Sequence, residues 1–268
     1  MKYWPHWVKR MADDDLAGVG VLVTRPKHQA QELVAAIEAL GGSAIQFPCI
    51  EIVPRQTADI LADASRLEDP DIAIFVSPNA VKHGLSCAGN ARIAVVGPAT
   101  AAAIEAAGRS VDIRPASGFD SEHLLAEPAL QTVQGSNVRI IRGNAGRELI
   151  ADTLRNRGAR VEYLSVYARR VPEISAAELA ALEAQWRSGE IDVITAMSVE
   201  SLTNLAELLP EWCKQQLGQT RLVTPAARVI KQVLDRFPGM PAKLARGPQA
   251  KDMVRAISEH AKTRRGIS

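Results

Sequence analysis

Five short segments of the chain combine hydroxyls, small residues and arginines in a way that suits an anion. They are Thr24 to Pro26, Ser77 to Asn79, Gly97 to Thr100, Arg142 to Arg147 and Met197 to Ser201. Each precedes a stretch with apolar residues at helical spacing. A helix N-terminus offers unpaired backbone N–H groups and a partial positive charge. Ser77, Thr100 and Ser198 are also natural N-cap types, and capping alone is sufficient reason for a hydroxyl there. Recurrence weighs against that bland reading, because such turns appear in both halves and several stand beside arginine. A lone surface arginine is usually a solvated charge. Arg25, Arg142 and Arg147 instead stand at strand ends, where a guanidinium can grip a carboxylate with two parallel hydrogen bonds, a geometry lysine lacks. The ligand that such turns suit carries several carboxylates.

The chemistry that is missing narrows the field. There is no G-x-G-x-x-G, no Walker loop, no H-E-x-x-H and no G-x-S-x-G, so the nucleotide, zinc-protease and esterase readings fall. His6, His28, His83, His123 and His260 are scattered, with no two at metal-ligand spacing, and no metal site is expected.

The elements that must position these turns come from a repeat. The segment from Val21 to Ile50 aligns without gaps with the segment from Val138 to Tyr167, which sets Arg25 against Arg142 and Gly41 against Gly158. Each copy reads as a β-branched run, a basic turn, an amphipathic stretch, a helix-ending glycine and a second strand, which is a β-α-β unit. Asp71 to Val81 likewise resembles Asp192 to Leu202, and the run from Ile93 resembles the run from Arg221. Continuous apolar strands alternating with helices predict parallel sheets covered on both faces, in open, doubly wound lobes. Ligands of such sheets sit at the carboxyl ends of the strands, where the five turns fall.

At 268 residues the chain can hold two lobes of about 100 to 150 residues each. Apolar residues at 47% and charged residues at 23% describe an ordinary globular protein. The 32 Lys and Arg nearly cancel the 30 Asp and Glu, which argues against nucleic acid or an anionic membrane as partner. Cys49, Cys87 and Cys213 are far apart and odd in number, and read as reduced, buried thiols of a cytoplasmic protein. No apolar run approaches the roughly 18 to 20 residues that span a bilayer. Met1 to Gly18 lacks the apolar core of a secretory signal and reads as a disordered extension.

VLVTRP, IFVSPNAV, VVGPATAAAIEAAG and IIRGNAGRELIADTLRNRGARVEYLSVYARRVP together resemble the uroporphyrinogen-III synthase family, from about Val19 to the C-terminal helix. The resemblance implies two flavodoxin-like, doubly wound parallel-sheet lobes joined by a two-stranded connector. Lobe 1 would comprise Val19 to Ile50 with Pro172 to Ser268, and lobe 2 Glu51 to Val171, the substrate lying in the cleft between them. It implies a lyase of haem biosynthesis, acting as a monomer without metal or organic cofactor. The reaction closes hydroxymethylbilane to uroporphyrinogen III, inverts ring D and releases water.

The resemblance also implies residue roles. Tyr167 stands where the family has a tyrosine held to help the hydroxyl leave; the bland alternative is a strand tyrosine packed at a sheet end. Ser77, Asn79, Thr100, Gly143 and Ser198 become candidates for substrate contact. The second half departs from the family pattern at Val199 and at Thr224 to Arg228, where a hydroxyl expected at Ala227 is absent. Arg228 either replaces it as a carboxylate ligand or belongs to a turn that only caps a helix. These departures keep open an alternative: a non-catalytic synthase-like domain that binds or senses a tetrapyrrole or another polycarboxylate.

Overall fold

The structure is a computed structural model that describes residues 15–146 and 148–265. The chain divides into two compact units, one formed by the residues up to Glu51 with those from Val171 onward, the other by Ile52–Arg170. The first stretch supplies β1 (Gly20–Val23), α1 (Lys27–Ala39) and β2 (Ser43–Gln46). The inserted unit follows with β3 (Glu51–Pro54), α2 (Thr57–Ala64), β4 (Ile72–Phe75), α3 (Pro78–Gly84), β5 (Arg92–Val95), α4 (Pro98–Ala106), α5 (Ser121–Ala126), α6 (Pro128–Gln131), β6 (Asn137–Gly143), α7 (Leu149–Asn156) and β7 (Arg160–Arg170). The chain then completes the first unit with α8 (Ala176–Arg187), β8 (Val193–Thr195), α9 (Val199–Leu208), α10 (Glu211–Leu217), β9 (Arg221–Thr224), α11 (Ala227–Arg236), β10 (Ala242–Leu244) and α12 (Ala250–Arg265).

Each unit is built on a five-stranded sheet. The order is β2-β1-β8-β9-β10 in the first and β5-β4-β6-β7-β3 in the second. Strands β1, β2 and β8 to β10 run parallel, as do β4 to β7. β3 joins the second sheet as an edge strand beside β7. The strand sequences explain the burial. GVLV, IAIF and VIT are apolar or β-branched throughout and buried on both faces, because helices cover both sides of a parallel sheet. Alternation splits each core in two: Leu22, Ile194 and Leu222 face one cluster, while Val21, Val23, Val193 and Val223 face another.

The repeat is present in three dimensions as a permuted pair. Gly20 pairs with Ser43 as Asn137 pairs with Arg160, and Val21 pairs with Val193 as Val138 pairs with Ile72. The β1-α1-β2 copy therefore opens the first sheet in sequence, whereas the β6-α7-β7 copy follows β4 and β5 in the second. Even the helix ends agree. Gly41 and Gly158 both take φ of 84°. Each donates from its N–H to the carbonyl three residues back, and the next residue donates to the carbonyl five back, closing a Schellman motif.

Part of the expected N-terminal extension belongs to the core. Leu16 is fully buried against α1 and α12, and its N–H donates to the Leu40 carbonyl at 2.8 Å. Burying such a side chain contributes about 2 kcal/mol, which a disordered segment would forgo. Met1 to Asp14 lie outside the described residues.

Candidate functional site

In the second unit the chain crosses from β4 and β5 to β6 and β7, so the order of connection reverses between β4 and β6. Open α/β sheets bind ligands at the carboxyl ends beside such a point. Ser77 leaves the end of β4 and Gly143 ends β6. Ser77 caps α3, its Oγ accepting from the Ala80 N–H at 3.1 Å, with Pro78 at the first helical position where its missing N–H costs nothing.

Tyr167 reaches the same point from β7 through an irregularity in the ladder. Arg142 pairs with Ser165 but Gly143 pairs with Tyr167, so Val166 is an extra residue. A one-residue slip exchanges the two faces of a strand. Val161 and Tyr163 face the cluster beneath α7, whereas Leu164, Val166 and Tyr167 all face the opposite cluster. The bulge thus turns Tyr167 onto the face that carries Ser77, where the two hydroxyls lie 3.1 Å apart. Gly143 makes room for the ring, since a Cβ there would stand 2.6 Å from Tyr167 Cε2. Asn144 fixes the backbone: its N–H donates to the Tyr167 carbonyl, and its Oδ1 accepts from the Arg169 N–H, both at 2.9 Å. The tyrosine is 5% exposed.

Arg142 does not join this group. It shares a face with Val138 and Ile140, on the other side of the sheet from Gly143 and Ile141. Its guanidinium donates to Glu148 Oε1 at 3.1 Å and lies 4.5 Å from the centre of the Tyr163 ring, while the Tyr163 hydroxyl donates to Glu148 Oε2. Hydrogen bonds from Tyr163 and Arg142 hold the Glu148 carboxyl below the usual carboxylate range. Burial first, and then the Glu148 carboxylate, push the Tyr163 phenol up to about 12. Neither Glu148 nor Tyr163 was singled out from the sequence. Glu148 reads there as one more charge at a helix start, and only the pairing of β6 with β7 brings Tyr163 to it.

The remaining sequence candidates are dispersed. Asn79 and Thr100 are buried in the first turns of α3 and α4. In the first unit the corresponding reversal lies between β1 and β8, and Thr24 Oγ1 bridges it by donating to the Thr195 carbonyl at 2.7 Å. Arg25 is half-buried and donates to the Pro248 carbonyl; burial lowers its pKa and nearby Glu32 opposes that shift. Ser198 caps α9 through a reciprocal box with Ser201. Arg228 is exposed on the first turn of α11. Arg147 lies outside the described residues. Gly97 and Ala226 are the equivalent N-caps, so Val229, fully buried, occupies the place of Thr100. The repeat likewise sets Ile50 opposite Tyr167, so the phenol is peculiar to the second unit.

Cys49, Cys87 and Cys213 are free and buried. Among the described residues no helix is long and apolar enough to cross a membrane. Nor, among them, is any group of three or more His, Cys, Asp and Glu placed to hold a metal ion.

Comparison with known proteins gives this geometry a context. Residues 31–254 match the family model described as Uroporphyrinogen-III synthase HemD. The chain is 34% identical over 223 residues to the uroporphyrinogen-III synthase of Escherichia coli strain K12, covering 80% of this chain and 89% of that one. It is 31% identical over 215 residues to that of Synechococcus elongatus, covering 74% and 78%. A mutant uroporphyrinogen III synthase from the extremely thermophilic bacterium Thermus thermophilus superposes with a TM-score of 0.62 at 18% identity, covering 91% of this chain and 99% of that one. The Helicobacter pylori uroporphyrinogen-III synthetase does so with a TM-score of 0.58 at 12% identity, covering 88% and 96%. At such identities the structures speak for the fold, two mixed α/β parallel sheets, while the family model and the sequence relatives speak for descent. By these matches the chain belongs to the uroporphyrinogen-III synthase family.

Proposed function

We propose that this chain closes hydroxymethylbilane to uroporphyrinogen III, inverting ring D and releasing water. The observation that carries the reading is the convergence of Tyr167, Ser77 and Gly143 at the reversal point of the second sheet, in a chain of this family. On this reading the Tyr167 phenol donates to the departing hydroxyl, and Ser77 orients it. Loss of that hydroxyl as water leaves an azafulvene cation. Attack by the substituted carbon of ring D gives a spiro intermediate that opens and recloses with the ring reversed. Positioning is the chief catalytic contribution, because the cation closes unaided to the symmetric isomer. Backbone N–H groups at the starts of α3, α4 and α9, with Arg25, Arg142 and Arg228, would hold the peripheral carboxylates. The strand order of the first sheet, counted by appearance, is 2-1-3-4-5, which supports reading the units as flavodoxin-like lobes. We further read the protein as a cytoplasmic monomer that needs no metal or organic cofactor.

The test supplies freshly generated hydroxymethylbilane to the purified protein, oxidises the products and resolves the I and III isomers against a no-enzyme control. Excess III isomer is expected. Only the I isomer, at the spontaneous rate, would leave a synthase-like fold that binds or senses a tetrapyrrole.

A further inference from the structure

Arg142 and Arg25 occupy equivalent strand ends, yet their surroundings differ. The residues corresponding to Glu148 and Tyr163 in the first unit are Gln31 and Gln46, so only Arg142 is clamped by a carboxylate and a phenol. Arg142 is also buried, at 7% exposure, whereas Glu148 is exposed. Arg142 lines a cavity of about 160 Å³ together with Val76, Val96, Ser121, Ala145, Gly146 and Ile150, among others. Its walls are mostly apolar, and among the described residues that line it Arg142 is the cation. That volume accepts an arm of four or five heavy atoms, taking roughly 30 Å³ for each water-sized group.

A buried guanidinium in an apolar-walled cavity needs an anion, and in the free protein an exposed side chain supplies it. We propose that this cavity seats one acetate or propionate arm of the substrate, and that Glu148 stands in for its carboxylate until the arm arrives and displaces it. The inference rests on the synthase reading above, from which the polycarboxylate comes. Exchange of one carboxylate for another keeps the Arg142 charge compensated throughout. The Tyr163 ring remains stacked on the guanidinium and preserves its orientation during the exchange.

The experiment titrates uroporphyrin, a stable fluorescent octacarboxylate, into wild-type protein, Glu148→Gln, Arg142→Lys and the double variant at fixed ionic strength. Thermal melts of the unloaded proteins confirm folding. Glu148→Gln, which removes the competing charge, should tighten binding about 3- to 10-fold and lower KM for hydroxymethylbilane by a similar factor. In the Arg142→Lys background, which lacks the bidentate fork, the same change should shift affinity less than 2-fold. Binding that weakens or stays the same in Glu148→Gln, while wild-type protein makes III isomer, overturns the stand-in role alone. Wild-type protein that makes no excess III isomer overturns the synthase reading itself.

Discussion

The hydroxyls of Tyr167 and Ser77 lie 3.1 Å apart although 90 residues separate them in the chain. The contact depends on the extra residue Val166 in β7, which turns the tyrosine onto the face where Ser77 caps α3. The same Ser77 oxygen accepts from a helix N–H and meets the phenol, so capping of α3 and positioning of the phenol are coupled.

Tyr167→Phe keeps the buried ring and removes only the hydroxyl. III-isomer formation should slow on the order of 100-fold, the scale of a lost proton donor, while affinity for uroporphyrin changes less than about 3-fold. Rates and isomer ratios from the hydroxymethylbilane assay decide it, and unchanged turnover removes Tyr167 from the chemistry.

Gly143→Ala tests the space. The added methyl would stand 2.6 Å from Tyr167 Cε2, so the ring must move. We expect a loss of about 1–3 kcal/mol in urea unfolding, typical of overpacking, together with an activity loss near that of Tyr167→Phe. Full activity would mean that the ring tolerates displacement.

Ser198 and Ser77 are equivalent in the repeat but differ in partners. Ser198→Ala should cost about 1 kcal/mol of stability as a lost cap. Ser77→Ala should cost a similar amount and in addition slow isomer formation, because it also removes the partner of Tyr167. Equal kinetic effects from the two variants would contradict the proposed role of Ser77 in orienting Tyr167.

The Glu148 and Tyr163 pair predicts a dependence on pH. Tyr163 titrates at about 12 in the folded chain against 10.0 for the free phenol. The unfolded chain therefore releases that proton first, and the contribution, full below about pH 10, is lost as pH rises to about 12. Glu148 has the opposite sign: its lowered pKa favours the folded chain above the ordinary carboxylate range and is lost as pH falls through the folded value. Urea unfolding of Tyr163→Phe should show a shallower alkaline decline than wild type, and Glu148→Gln a shallower acid one. Parallel curves would sink the assignment.

Much of this protein was legible without coordinates. Alternating β-branched runs and amphipathic stretches predicted parallel sheets, because strands buried on both faces must be apolar throughout. The gapless match of Val21 to Ile50 with Val138 to Tyr167 reappears as equal strand registers and equal glycine turns. Ser77 and Ser198 were visible as caps because capping is a local property of a hydroxyl and the next three residues. Family membership was legible in the order and spacing of four motifs, and the comparisons establish it.

What only the tertiary structure decided were the facts that need strands to meet. A bulge is a mismatch between two strands, so a gapless sequence alignment passes over Val166 and places Tyr167 on the wrong face. Arg142, a strand-end candidate, lies across the sheet from Tyr167, since Arg142 and Gly143 are neighbours in β6 and point to opposite sides. Its clamp by Glu148 and Tyr163 exists because β6 and β7 lie side by side. Leu16 joined the core for a similar reason: a single leucine carries no periodicity, and α1 and α12 had to be assembled before it had anything to bury against. Sequence alone thus determines local geometry and the alternation of elements; which side chains share a face of the sheet depends on register, a relation between segments that no single segment contains.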